Sequence, residues 1–113
     1  MQSATTAGVA ANSLKKGDVL ATARYAGTQA TKHVSSLVSG AGVVSLPDVT
    51  IRFDIGETWI DIEARVECVA AVGVEPHALS AVTLAALTIY DMCKSADRTM
   101  VIGPVELLES PAD

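Results

Sequence analysis

Residues 49–68, VTIRFDIGETWIDIEARVEC, show the clearest pattern in this chain of 113 residues. Apolar and polar residues alternate on both sides of the short segment 55–58, which is typical of two strands joined by a turn. The stretch therefore predicts an antiparallel hairpin with one buried face. The apolar residues of the alternating set are Val49, Ile51, Phe53, Ile60, Ile62, Ala64, Val66 and Cys68.

Two stretches with helical periodicity flank this hairpin. In residues 16–38, apolar and small residues recur at intervals of three and four, and a Ser-Gly-Ala-Gly run then stops the helix. A second helix is predicted over residues 76–95, where Pro76 suits the first helical turn. The first helix carries a face of Ala and Gly residues and the second an Ala-rich face, which permits close packing against a neighbouring backbone.

The two ends of the chain carry weaker patterns. Residues 1–14 predict either a short edge strand around residues 5–10 or a loose segment. Residues 100–108 predict a final strand, which Gly103-Pro104 would place at a sheet edge or a bulge. The order (β)-α-β-β-α-β within a single domain, 1–113, predicts an α+β fold of the ferredoxin-like type, with two helices on one face of an antiparallel sheet.

Composition argues against several classes of partner. The formal net charge is −5, with eight Lys and Arg against thirteen Asp and Glu, and no basic residues cluster as a nucleic-acid surface requires. No apolar run approaches the roughly 20 residues that cross a bilayer, and no signal peptide is visible. We therefore expect a cytoplasmic protein that binds neither nucleic acid nor a membrane.

Two His and two Cys are too scattered for a zinc site, so we expect no metal and no cofactor.

An acid and a base stand three residues apart at the end of the second predicted helix. At this spacing Asp91 and Lys94 project together from the helix. They could form an ordinary surface pair. Because the preceding turns are almost wholly apolar, they could instead be partly desolvated and act as acid and base. The residues alone leave both interpretations open.

Charged residues also mark the helix starts. Lys16 could be a solvated residue beside the capping Asp18, or part of a site. Glu75 and His77 could be a cap acceptor and a first-turn residue, or a general base and a proton carrier. His77 and Asp91 are ~21 Å apart along the helix axis. One small substrate cannot contact both from one chain, so there are either two sites or one site shared between subunits.

Three segments, in this order, resemble the molybdenum cofactor biosynthesis protein C (MoaC) family. They are KGDVLATARYAGTQATK at 16–32, GVEPHALSAVTLAALTIYDMCK at 73–94 and MVIGPVELL at 100–108. The resemblance implies a ferredoxin-like fold and a dimer-based homo-oligomer, a hexamer in the family, with active sites at subunit boundaries. It also implies the family's lyase reaction, in which 3′,8-cyclo-7,8-dihydro-GTP becomes cyclic pyranopterin monophosphate with loss of pyrophosphate.

The resemblance also assigns roles by position. Lys16 corresponds to the family's substrate-binding lysine, Asp91 and Lys94 to its catalytic pair, and Glu75 to the first of its two helix-opening glutamates. The second glutamate position is His77, and the position of the family's catalytic histidine is Gly42.

The family's N-terminal arginine and its Lys- and Gly-rich tail have no match in residues 1–14 or 110–113. We therefore expect a divergent enzyme that acts on a cyclised GTP-derived nucleotide or a related pterin or nucleoside. In it Lys94 would be the general acid, Asp91 its orienting group or the base, and Glu75 and His77 further catalytic groups. The alternative is a non-catalytic structural or regulatory paralogue.

Overall fold

The computed structural model describes residues 1–43, 47–68 and 73–108. Residues 110–113, which were expected to lack the family's Lys- and Gly-rich tail, lie outside the described residues. The described part has an α+β fold, as predicted. Its elements are helix α1 (Ser3–Ala10), helix α2 (Val19–Leu37), strand β1 (Asp48–Ile55), strand β2 (Ile60–Glu67) and helix α3 (Glu75–Cys93).

Strands β1 and β2 form the predicted antiparallel hairpin. The register pairs Ile51 with Ala64 and Phe53 with Ile62, so the apolar residues of both strands share one face. The turn is closed by the backbone N–H of Gly56, which donates to the carbonyl of Trp59 at 2.8 Å. The predicted antiparallel hairpin with one buried face is thus confirmed.

Helices α2 and α3 pack against each other on one face of this hairpin, with α2 contacting β1 and α3 contacting β2. Ala23 of α2 and Ala81 and Ala85 of α3 are fully buried in this layer. At Gly27 a Cβ atom would lie only 2.7 Å from the carbonyl oxygen of Ala81 and 2.6 Å from a methyl group of Ile51. The small-residue faces therefore bring the two helices into close contact, as the sequence predicted.

The prediction for residues 1–14 was wrong, because this segment forms helix α1 rather than an edge strand or a loose end. Its buried residues Thr5, Thr6 and Val9 follow a helical spacing. The helix is tied to the rest of the chain by Asp97, whose carboxylate accepts from the backbone N–H of Gln2 at 2.8 Å. Tertiary contacts thus determine the secondary structure of a segment whose own sequence pattern is weak.

The prediction of a paired strand at residues 100–108 was also wrong. This segment follows α3 without regular secondary structure, and its backbone makes no hydrogen bond within the described part of the chain. Pro104 has no N–H to donate, and a groove separates the segment from β2. Among the described residues the sheet therefore has two strands, in the order β1-β2.

None of the helices that the structure describes combines the length and the apolar character needed to cross a membrane.

Candidate active site

The antiparallel packing of α2 and α3 brings the residues before α2 to the end of α3. The ammonium group of Lys94 donates to the Asp91 carboxylate at 2.8 Å. The ammonium group of Lys16 donates to the backbone carbonyl of Asp91 at 3.1 Å. We call Lys16, Asp91 and Lys94 the α3-end cluster. It joins two separate segments of the chain, 75 residues apart in sequence.

Local structure explains why Lys16 reaches this position. Asp18 is the N-cap of α2, and its side chain accepts from the backbone N–H of Ala21 at 3.0 Å. This confirms the capping role that the sequence suggested for Asp18. The cap fixes where α2 begins, and Lys16 lies two residues earlier. The carbonyl that Lys16 contacts belongs to the last turn of α3, where carbonyls lack partners within the helix and carry the negative end of its dipole.

The α3-end cluster is exposed to solvent. The side chains of Lys94 and Asp91 have 51% and 61% of their surface accessible. Of the two interpretations that the sequence left open, this exposure favours the surface pair for the chain by itself. The apolar residues of α3 are buried against α2 and the sheet, while its last turn projects beyond them.

The protonation states in the cluster follow from its contacts. The hydrogen bond from Lys94, then its charge and the charge of Lys16, hold the pKa of Asp91 below its ordinary value. The hydrogen bond to Asp91 and its negative charge raise the pKa of Lys94. At neutral pH the pair is therefore an ammonium and a carboxylate, with the proton on Lys94.

A further cation lies near the cluster. The positive charge of Arg98 acts on Lys94 and opposes its protonation, although more weakly than Asp91 favours it. Arg98 was not among the predicted site residues. Its spacing of four residues from Lys94 was the one signal in the sequence, but α3 ends at Cys93 and the helical spacing does not apply beyond it.

The other two predicted residues lie at the opposite end of α3. Glu75 is in its first turn and half-buried, and His77 follows two residues later. His77 is separated from Asp91 by fourteen residues of one helix, or ~21 Å. The structure therefore brings Lys16, Asp91 and Lys94 together, and it does not bring Glu75 or His77 to them within one chain.

His77 has surroundings that the sequence did not predict. Its ring is fully buried, and Nε2 lies 2.9 Å from the carbonyl oxygen of Gly42. Since a carbonyl can only accept, Nε2 carries the proton. Nδ1 is buried and has no hydrogen-bond partner among the residues that the structure describes. In this conformation His77 has no contact with solvent, which argues against the expected exchange of protons with a substrate.

A groove of about 1160 Å³ runs beside α3, separate from the α3-end cluster. All eight residues of β2 and all nine residues of segment 100–108 line it. Glu75 and Tyr90 also contribute to its walls, but Lys16, Asp91 and Lys94 do not. No group of three or more His, Cys, Asp or Glu residues in 1–43, 47–68 and 73–108 is arranged to hold a metal ion.

Comparison with known proteins identifies the family of this chain. The MoaC family profile matches residues 1–111. The chain belongs to the MoaC family. A cyclic pyranopterin monophosphate synthase of Magnetococcus marinus is 50% identical over 97 residues, which is 84% of this chain and 60% of that protein. Proteins with the same name from a Roseiflexus species and from Chloroflexus aurantiacus are 47% identical over 102 residues and 44% identical over 110 residues.

The matched region spans 60% to 68% of the length of these three relatives, and 84% to 96% of this chain. The recognition of the family from three sequence segments is thus confirmed.

Proposed function

We propose that the chain supplies part of the active site of a MoaC-type lyase that acts on a cyclised GTP-derived nucleotide or a related pterin or nucleoside. One observation carries the proposal: Lys16 and Lys94, from separate segments, converge on Asp91. Two ammonium groups at one point of an acidic chain form a site for an anionic substrate. The relatives are named cyclic pyranopterin monophosphate synthases, and the resemblance implies release of pyrophosphate from the substrate.

The proposed roles follow from the protonation states. Lys94 holds its proton and is oriented by Asp91, which suits a general acid beside a leaving group. Lys16 is the substrate-binding cation, since within the described part of the chain its ammonium donates only to a helix-end carbonyl and retains further N–H groups for phosphate oxygens. Arg98 adds positive charge nearby.

Glu75 enters this site from a partner subunit in our proposal. The distance of ~24 Å along α3 between Glu75 and Asp91 prevents Glu75 from joining the α3-end cluster of its own chain. A homo-oligomer in which two copies of α3 run past each other removes the difficulty, because the helix start of one copy then meets the helix end of the other. The contact with Gly42 gives His77 a positioning role instead, since its ring holds the loop after α2 against the start of α3.

The proposal is tested by pyrophosphate release from 3′,8-cyclo-7,8-dihydro-GTP. Lys94→Ala, Asp91→Ala and Lys16→Ala should each reduce the rate about a hundredfold or more, as expected for loss of a positioned acid or charge donor. Lys15→Ala is the matched control, because Lys15 is an exposed neighbouring lysine with no hydrogen bond to Asp91. Equal rates for Lys16→Ala and Lys15→Ala would show that Lys16 does not contribute to the site.

Shared sites are tested by mixing two inactive variants. Glu75→Ala and Lys94→Ala proteins, each inactive alone, should regain roughly a quarter of the wild-type rate after subunit exchange, because random pairing places both intact halves in one site in four. No recovery, with exchange verified by mass spectrometry, would show that Glu75 and Lys94 act in the same chain or in separate sites.

A second candidate function is a non-catalytic structural or regulatory paralogue. The observation that favours it is the state of the two divergent positions: Gly42 has no side chain, and His77 is buried away from solvent. This candidate predicts no pyrophosphate release above background from the wild-type protein, and only small stability changes in Lys94→Ala and Asp91→Ala.

A further inference from the structure

The chain continues for one further turn beyond α3. The backbone N–H groups of Ala96 and Asp97 both donate to the carbonyl of Cys93, each at 3.0 Å. Lys94, the C-cap residue, keeps right-handed helical dihedral angles, with φ −60° and ψ −28°. The backbone that carries Lys94 is therefore held by hydrogen bonds that span it, and these bonds also fix where Asp97 lies.

A buried carboxylate holds the residues that follow this turn. Asp97 is only 2% exposed. One of its oxygens accepts from the backbone N–H of Thr99 at 2.8 Å and from the Thr99 hydroxyl at 2.6 Å. Its other oxygen accepts from the backbone N–H of Gln2, the N-cap of α1, at 2.8 Å. An Asp side chain that bonds to the backbone two residues on forms an Asx turn, and the central residue of this one is Arg98.

Arg98 is an exposed cation at the outside of this turn. Among the residues that the structure describes, it takes part in no ion pair. Its charge nevertheless acts on Lys94, so it lies beside the α3-end cluster. Lys16 approaches the same cluster from the segment before α2. Three cations therefore lie near one accessible carboxylate, that of Asp91, because both oxygens of Asp97 are occupied by N–H and O–H donors.

This local excess of positive charge contrasts with the chain as a whole, whose formal net charge is −5. Positive charge that is not paired within a protein attracts anions. An Arg guanidinium is a planar fork that matches two oxygens of one phosphate group, whereas a Lys ammonium acts as a point charge. Arg98 therefore offers a kind of phosphate contact that Lys16 and Lys94 do not.

We propose that Arg98 is a phosphate-binding residue of the α3-end cluster and that Asp97 is the positioning residue that holds it there. The phosphates are those that leave the substrate as pyrophosphate, so this inference rests on the proposed function. It divides the tasks within the cluster. Lys94 donates the proton beside the leaving group, and Arg98 binds the leaving group itself.

The test is calorimetric binding of inorganic pyrophosphate, because this probe requires neither turnover nor the rest of the substrate. Arg98→Ala should weaken pyrophosphate binding about tenfold or more, as expected for loss of a charge-assisted hydrogen bond. Arg98→Lys keeps the charge without the fork and should recover part of the affinity. Arg65→Ala should bind as the wild type does. It is the matched control, since Arg65 is an exposed arginine that pairs with Glu67 on β2.

The role of Asp97 is tested through Arg98. Asp97→Asn removes a negative charge from near the cluster, so electrostatics alone would strengthen pyrophosphate binding. We expect the opposite, a weakening of about threefold or more, because the amide NH₂ replaces one of the two accepting oxygens and loosens the turn. In the Arg98→Ala background the same change should cause no weakening. Thr99→Val removes only the hydroxyl donor and should weaken binding less than Asp97→Asn does. Circular dichroism verifies that each variant is folded at the temperature of the titration.

Two outcomes would overturn the inference while the proposed function stands. If Lys16→Ala weakens pyrophosphate binding, equal affinities for Arg98→Ala and Arg65→Ala would exclude Arg98 from the site. If Asp97→Asn has no effect, or weakens binding equally with and without Arg98, then Asp97 does not act by positioning Arg98. A wild-type protein that shows no saturable binding at millimolar pyrophosphate would instead overturn both this inference and the anion site on which the proposed function depends.

Discussion

Gly27 gives the sharpest test of how the two helices position the α3-end cluster. A methyl group at this position would lie 2.7 Å from the carbonyl oxygen of Ala81, where ordinary contact begins at 3.4 Å. The helices would therefore have to separate by about 0.7 Å, since the obstacle on α3 is backbone. Overpacking of this kind costs about 3 kcal/mol at the upper end of its range. Replacing Gly by Ala within a helix stabilises the folded protein by about 1 kcal/mol, because Ala has the higher helix propensity.

We therefore expect Gly27→Ala to lower the free energy of unfolding by about 2 kcal/mol, the difference of those two terms. In a domain of this size the thermal midpoint should fall by about 10 °C. The matched control is Gly8→Ala in α1, where the added methyl would meet only the flexible end of the Leu14 side chain at 3.1 Å. Its midpoint should stay constant or rise. Equal midpoints for Gly27→Ala and the wild type would refute the close packing of α2 on α3.

Two further changes test other buried contacts. Hydrogen bonds from Thr99 and Gln2 hold the pKa of Asp97 far below its ordinary value of 3.8, so its stabilising effect is present above about pH 4 and is lost as the pH falls further. Asp97→Asn should lower the thermal midpoint at pH 7 and reduce the difference between midpoints at pH 7 and pH 3; parallel pH profiles for the two proteins would contradict this. His77→Ala should cost about 2–3 kcal/mol in urea titrations, from a cavity and a lost hydrogen bond. His77→Gln should recover part of this, because its amide can donate to the carbonyl of Gly42, and equal losses for the two variants would contradict a stabilising hydrogen bond at this position.

The sequence predicted those elements whose pattern and packing agree. The hairpin alternates cleanly, and both its strands bury the predicted face. Helices α2 and α3 have periodic small-residue faces that pack together as expected. The pattern of α1 is too weak to separate a helix from a strand, and contacts such as that between Asp97 and Gln2 decide it. Residues 100–108 are apolar enough to predict a strand, but their composition does not state whether a partner strand lies beside them.

The same division holds for the candidate site. The spacing of Asp91 and Lys94 predicted their contact, because it depends only on local helix geometry. The contact of Lys16 with Asp91 depends on how α2 packs against α3. It could therefore be expected from the family resemblance but not from the spacing of residues in the sequence. The burial of His77 depends on the loop at Gly42, which no periodicity in the sequence describes.

The central claim is that Lys16 and Lys94 belong to one anion-binding site although they come from separate segments. The most direct measurement is calorimetric binding of 3′,8-cyclo-7,8-dihydro-GTP to the wild type and to Lys16→Ala, Lys94→Ala and Lys15→Ala, since binding does not require a complete turnover. Loss of a charge-assisted hydrogen bond to phosphate should weaken binding by about tenfold or more in Lys16→Ala and in Lys94→Ala. Lys15→Ala should bind as the wild type does. Equal affinities for Lys16→Ala, Lys15→Ala and the wild type would contradict the account.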